Sequence, residues 1–236
     1  ANQTVAKHLN SSKTIFPFVY RIHDIPDKER ILDLKNIVKK FGHSINSENP
    51  VVLSKSLNDL LLKIKGRPEQ NLIETLIIRS MAKAIYSTKN IGHYGLAFSF
   101  YSHFTSPIRR YPDLITHRLL YDYISKNKPL KSANLDYICK HCSETEKLAS
   151  IAERNSIKFM QVKYLTNKIG ENFSGVITGV TDWGLYVELD NNKCEGLVKI
   201  NNISDDYFVF NKKTHSIVGN STNKQYQLGQ KVNVTV

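Results

Sequence analysis

A chain of 236 residues with 41% hydrophobic content is long enough for two cores, and its 33 Lys plus Arg against 21 Asp plus Glu give a formal net charge of +12. Such an excess predicts a polyanionic partner, nucleic acid first, although a Lys-, Asn- and Ile-rich composition also follows from genomic base bias. Three cysteines, one far from the other two, exclude a disulfide scaffold and predict a reducing, cytoplasmic setting; no apolar run reaches membrane-spanning length and no leader pattern opens the chain, so no membrane partner is expected.

The charge is uneven. From Gly170 onward six Lys face seven acids, which leaves about +13 on the first 169 residues. The basic surface is therefore expected in a first domain.

In chain order, Thr14 to His23 is apolar and β-rich, and Pro26-Asp27 opens a helix with Ile31, Leu34, Val38 and Phe41 at helical spacing before Gly42. A second helix, capped by Ser54, carries Leu57, Leu60, Leu61 and Ile64 and closes at Gly66. A third is predicted from Pro68 to about Tyr86, burying Leu72, Leu76, Met81 and Ile85. From Gly92 a stretch dense in aromatics and glycine reads as extended and runs into a proline-led helix start at Ser106-Pro107. Further helices are predicted over about Asp113 to Ser125 and Asn134 to Lys168, the latter with an apolar face of Leu135, Ile138, Cys142, Leu148, Ile151 and Ala152. After Gly170 come short β-runs, FSGVITGV, GLYVEL, EGLVKI and the terminal KVNVTV, with a polar loop over Asn211 to Gln225; closely spaced short strands predict a small barrel. The fold class is α+β, a mixed helix and strand domain over 1–168 followed by an all-β barrel over 169–236.

The chemistry concentrates in His93 to His117, HYGLAFSFYSHFTSPIRRYPDLITH, whose core is Ser106-Pro107-Ile108-Arg109-Arg110-Tyr111. Free N–H groups at a helix start beside two guanidiniums suit the binding of phosphate, because the planar fork of Arg reaches two oxygens at once and stabilises charge that develops during displacement. The bland alternative, surface arginines paired with Asp113 and neighbouring acids, stands at about even weight on the residues alone. His93, His103 and His117 lack tight zinc-ligand spacing, and Cys139-Lys-His-Cys142 is half of a zinc pattern, so no metal site is expected in this chain.

That 25-residue stretch resembles the signature segment of the ribonuclease II/ribonuclease R catalytic domain. The resemblance extends upstream through PFVYRIHDIPD (Pro17 to Asp27) and KGRPEQNLIETLIIRSMAKAIYSTKNIGHYGLA (Lys65 to Ala97), and downstream to AERN (Ala152 to Asn155). It implies a processive 3′-to-5′ exoribonuclease that hydrolyses single-stranded RNA to nucleoside monophosphates. By motif position it implies a catalytic Arg109 acting on the scissile phosphate, with Thr105, Ser106 and Arg110 contacting the RNA backbone. It also implies magnesium held by an aspartate cluster, but Asp24, Asp27, Asp113, Asp122, Asp205 and Asp206 are scattered without matching spacing. The family's cluster would precede Ala1.

Gly170 to Ile200 resembles the oligonucleotide-binding barrel named after ribosomal protein S1, which implies that Trp183 and Tyr186 stack on bases. Inward packing of either ring is the competing reading, since a strand turns only alternate residues outward. Lys199 stands where that family commonly has histidine and keeps a phosphate contact, with Lys193, Lys212 and Lys213 as local guides. Relative to both families the chain is expected to be a monomeric fragment, cut at each end, inactive by itself and lacking the strand that closes the barrel. The alternative is a non-catalytic RNA-binding module, motivated by the missing aspartates.

Overall fold

The computed structural model describes residues 1–10, 17–67, 69–126, 134–203, 206–211, 214 and 216–236. The chain is α+β and divides into two compact units that interleave in sequence. One comprises Ala1–Pro26 and Met81–Glu153; the other comprises Asp27–Ser80 and Arg154–Val236. Among the described residues no helix is long and apolar enough to cross a membrane.

In the first unit, helix α1 (Asn2–Asn10), which the sequence reading missed, buries Ala6 and Leu9. Strand β1 (Tyr20–Ile22) pairs antiparallel with β2 (Ile85–Ser87), placing Tyr20 opposite Ser87, Arg21 opposite Tyr86 and Ile22 opposite Ile85. Of the β-run expected from Thr14, residues 14–16 lie outside the described ones. A 3-10 turn, Tyr94–Leu96, interrupts the aromatic segment, and helix α5 (Tyr111–Lys126) and the first part of helix α6 (Leu135–Leu165) complete the unit. Two apolar clusters hold it: Ala6, Leu9, Phe18, Tyr20 and Ile22 under α1, and Val19, Tyr86, Ile115, Leu135, Cys139 and Cys142 against α6.

The second unit opens with three helices. Asp27 Oδ1 accepts from the backbone N–H of Glu29 (3.0 Å) and Arg30 (3.1 Å) and so starts α2 (Lys28–Lys40), satisfying donors that no helical carbonyl reaches. Ile31, Leu34, Ile37 and Val38 are its buried stripe, and the chain leaves it through Gly42 at φ 78°. Helix α3 (Pro50–Ile64) buries Leu53, Leu57, Leu60 and Ile64, and α4 (Gln70–Ser80) buries Leu72, Ile73 and Ile77.

Strand β3 (Asn172–Thr181) pairs with β4 (Gly184–Leu189), β4 pairs with β5 (Glu195–Lys199), and β9 (Lys231–Thr235) pairs with the other edge of β3, all antiparallel. A second sheet runs in the order β6 (Phe208–Asn211), β7 (Ser216–Gly219), β8 (Gln225–Gln227). Ile177, Leu185, Val187, Phe208 and Ile217 form the barrel core, and Leu228 joins Ile37 and Leu72 at the helices.

Five expectations are corrected. Helix α3 begins at Pro50 rather than at Ser54, because Asn49 Oδ1 accepts from Val52 N (2.9 Å) and Pro50 fits a first-turn position that needs no N–H. The third helix ends at Ser80 instead of Tyr86, since pairing with β1 draws Ile85–Ser87 into a strand. Leu148 (65% exposed) and Ile151 (41%) lie on the surface, so the buried face of α6 is confined to its first turns. Asn211 to Gln225 carries β7 and the start of β8 rather than a polar loop alone. Ser106-Pro107 does not start a helix: the chain turns there, and α5 begins at Tyr111 with Pro112 in its first turn.

The two candidate caps of α3 separate by mutation. Asn49→Ala is expected to lower the unfolding free energy of the chain by about 1 kcal/mol, and Ser54→Ala to change it by less than about 0.5 kcal/mol, both read from urea transitions.

Candidate functional site

Residues 92 to 110 have almost no regular structure, yet their backbone is held at nearly every step. His93 N–H donates to Phe98 O (2.8 Å), Tyr94 N–H donates to His23 O (2.9 Å), and Tyr101 O accepts from Arg21 N–H (2.9 Å). His23 Nδ1 accepts from Gly95 N–H (2.9 Å), which fixes the tautomer so that Nε2–H donates to Ala82 O (2.7 Å). Ser102, fully buried, donates its hydroxyl to Val19 O (2.6 Å). Phe104 N–H donates to Asn2 Oδ1 (3.1 Å), while His117 Nε2–H donates to Phe104 O (2.8 Å) and its ring stacks on Phe104 at 3.9 Å.

The turn itself closes on Ser106, whose carbonyl accepts from the N–H groups of Arg109 (3.3 Å) and Arg110 (3.0 Å). Ser106 N–H donates to Asp113 Oδ1 (2.8 Å), and so does Arg110 Nη2 (2.8 Å); the Asp113 side chain is 0% exposed. The two adjacent arginines therefore part company. Arg109 is exposed, its guanidinium touching Ser106 Oγ at 3.4 Å, whereas Arg110 is directed at the buried carboxylate. Thr105 is exposed and Ser106 half-buried, so of the residues expected at this site Thr105, Ser106 and Arg109 line one surface and Arg110 stands behind it.

On the barrel, β4 alternates buried Leu185, Val187 and Leu189 with half-exposed Tyr186 and Glu188, and Trp183 precedes it at 55% exposure. Both expected stacking rings thus reach the surface. Trp183 Nε1–H donates to Tyr186 Oη (3.2 Å). Pairing sets Lys199 opposite Gly184 and Leu197 opposite Tyr186, which gathers Trp183, Tyr186, Leu197 and Lys199 on one patch. Two glycines make the patch possible. A Cβ on Gly184 would lie 2.1 Å from Val198 O, and one on Gly179 would press on the Tyr186 ring at 3.2 Å. The bulge between Ile177 and Gly179 turns the strand there. Lys193 pairs with Glu188 (3.2 Å), and Lys212 and Lys213 lie outside the described residues.

Sequence reasoning missed the supports rather than the tips. Asp113 at i+3 from Arg110 was a legible ion-pair signal, but its burial was not, and nothing near Phe104 in sequence announces Asn2. Magnesium finds no matching donor set: among the described residues no three His, Cys, Asp or Glu side chains converge. Asp27 caps α2, Asp113 holds the turn, and Asp206 accepts from Thr222 N–H and Oγ1 and from Ser221 N–H, which holds its carboxyl well below the usual range. These residues do not fit the ion. Asp205 lies outside the described ones.

Beneath the turn, Tyr86 Oη and His103 Nδ1 share a 2.9 Å hydrogen bond. Burial pushes the Tyr86 hydroxyl up to about 12, and burial with the nearby Arg110 and Arg21 charges pushes His103 down to about 4. An unfolded His binds a proton near pH 6.5 that the folded His103 refuses. Stability is therefore full above that pH and falls as pH drops toward 4. His103→Asn is expected to remove about one proton from the uptake on unfolding across that window, measured by urea titrations at stepped pH.

A family model described as the RNB domain matches residues 1–126, and one described as the S1 RNA binding domain matches residues 166–236. Ribonuclease R of Aquifex aeolicus is 41% identical over 243 aligned residues, covering 99% of this chain and 33% of the relative, and ribonuclease R of Escherichia coli is 32% identical, covering 100% and 30%. The chain thus spans about a third of the length of the curated relatives it matches. The structure of Mycoplasma genitalium RNase R in complex with ribose methylated single-stranded RNA superimposes with a TM-score of 0.87 at 31% identity, over 99% of this chain and 37% of that one. With an RNB match over more than half its residues, an S1-type barrel behind it and ribonuclease R relatives along its whole length, the chain belongs to the ribonuclease R/ribonuclease II family.

Proposed function

We propose that this chain is the RNA-gripping part of a processive 3′-to-5′ exoribonuclease that hydrolyses single-stranded RNA to nucleoside monophosphates. The observation that carries the reading is the exposed Arg109 guanidinium on a turn whose backbone is fixed from behind. A guanidinium presented from a fixed backbone can reach a phosphate and stabilise the charge that develops on it. In this reading Arg109 acts on the scissile phosphate, Thr105 and Ser106 contact the strand, and Arg110 contributes from behind the turn. Trp183 and Tyr186 stack on bases while Lys199 meets a phosphate. The functional division falls near residue 168, between the catalytic part and the barrel. The protein works as a cytoplasmic monomer, with magnesium bound by groups other than the described residues.

A second reading, a non-catalytic RNA-binding module, is favoured by one observation: among the described residues no three His, Cys, Asp or Glu side chains gather, and Asp27 and Asp113 are engaged in a cap and a turn. The two readings diverge in the full-length protein that carries this chain, where the first expects mononucleotide release from end-labelled RNA with magnesium and the second expects binding alone; both make the same forecast for the 236-residue chain by itself. Binding without mononucleotide release is expected, and release would refute both the second reading and the expectation that this chain alone is inactive.

In the full-length protein that carries this chain, Arg109→Ala is expected to lower kcat by about 100-fold or more while the Kd for single-stranded RNA moves less than about threefold. Turnover at the unaltered rate would defeat the role given to Arg109. On the barrel, Trp183→Ala is expected to weaken RNA binding by about 1 to 3 kcal/mol at fixed salt, measured by filter binding. Lys199→Ala is expected to reduce the slope of log K against log salt by about 0.7.

A further inference from the structure

Pro107, Ile108 and Arg109 form the tip of a turn, with Pro107 half-buried and the other two exposed. Ile108 is fully exposed and Arg109 reaches back only to Ser106 Oγ, at 3.4 Å. Besides the turn's own backbone bonds to Ser106 O, one oxygen ties its two ends. Asp113 Oδ1 accepts from Ser106 N–H on one side of the turn and from Arg110 Nη2 on the other, both at 2.8 Å, and Asp113 sits in the first turn of α5, a rigid element.

We infer that Asp113, through Ser106 and Arg110, is a positioning residue that aims the Arg109 guanidinium, and that Arg110 serves the same purpose instead of touching the RNA. The inference rests on the catalytic role proposed for Arg109.

Three observations favour aiming over simple stabilisation. An ion pair with its carboxylate fully buried and its guanidinium mostly so is a poor stabiliser, because the cost of removing charge from water offsets most of the attraction, and an apolar pair of similar volume often does better. This pair is also incompletely satisfied: the Asp113 Oδ2 and Arg110 Nε atoms are buried and find no hydrogen-bond partner among the described residues. What the charged pair supplies that an apolar pair does not is direction, since a charge-assisted hydrogen bond fixes both the distance and the angle of the groups it joins. Direction is what an exposed tip lacks. A catalytic group displaced by about 1 Å loses on the order of 100-fold in rate with little change in binding.

The test is a double-mutant cycle in the full-length protein that carries this chain, with single-turnover rates and RNA affinity both measured. Asp113→Asn keeps the shape and an oxygen for Ser106 N–H but removes the charge opposite Arg110. It is expected to lower the rate at least about tenfold with Kd changed less than about threefold. In an Arg109→Ala background, where no guanidinium remains to be aimed, the same substitution is expected to cost less than about twofold. Equal losses in both backgrounds would overturn the inference, since a merely structural carboxylate costs the same whether or not Arg109 is present; so would an Asp113→Asn protein of unaltered rate. Arg109→Ala measured by itself tells the two ideas apart: if it leaves turnover intact, the reading beneath the inference has failed, whereas a large loss with additive behaviour sinks the positioning role alone. If Asp113→Asn does not fold, the cycle is run with Arg110→Gln, which breaks the pair from its more exposed side, and the same non-additivity is required. Arg110→Lys, which restores a charge opposite Asp113, is expected to recover at least about a third of the rate lost in Arg110→Gln; no recovery would count against the pair.

Discussion

A segment that carries its reactive side chain on irregular backbone must find a partner for each buried peptide group outside any helix or sheet. That constraint governs residues 92 to 110. Their amides and carbonyls are answered by Asn2, His23, Asp113 and His117, and the Ser102 hydroxyl by Val19 O, from α1, the strand β1 and its flanks, and α5. The partners are spread over more than a hundred residues of sequence and are brought to one place by the apolar clusters around Phe18, Val19 and Tyr20. Core packing and site geometry are thus the same event in this unit.

The barrel unit solves a different problem. Of the side chains proposed to meet RNA, Tyr186 and Lys199 sit on regular strands, where alternation sends Leu185, Val187 and Leu189 inward and leaves Tyr186 outward, so no special bonding is needed to aim them. What it needs is room. Glycine at 179 and at 184 lets the Tyr186 ring and the Lys199 backbone lie close to the neighbouring strand, where any side chain would collide. The near-neutral charge of residues 170–236 agrees with a surface that works through ring contact, while the first 169 residues carry the basic excess.

Much of this was legible from the residues, for identifiable reasons. The strands β3, β4, β5 and β9 follow from period-2 alternation bounded by Gly, Asp and Asn, a local pattern that tertiary context had no reason to override. The prominence of Arg109 followed from its motif, and its exposure agrees with a role at a surface. The third helix was overextended because Met81 to Tyr86 continues an apolar periodicity, and only the distant β1 decides that Ile85–Ser87 is a strand. Ser54 has the hydroxyl of a capping residue, yet Asn49-Pro50 is the better start signal, since proline is favoured where the helix has no N–H to satisfy. The separation of Arg110 from Arg109 was out of reach: spacing shows that Arg110 and Asp113 can meet, but whether their meeting place is wet or dry depends on how α5 packs.

The bond between Trp183 and Tyr186 sets a limit on what the barrel can tell apart. An indole has one N–H and no acceptor, and here that hydrogen is already given to the neighbouring phenol. A nucleobase resting on the indole, as proposed, would meet a π-face that offers surface area, purine over pyrimidine, and no donor of its own. Any finer distinction would fall to the Tyr186 hydroxyl, which keeps its own hydrogen, or to groups elsewhere.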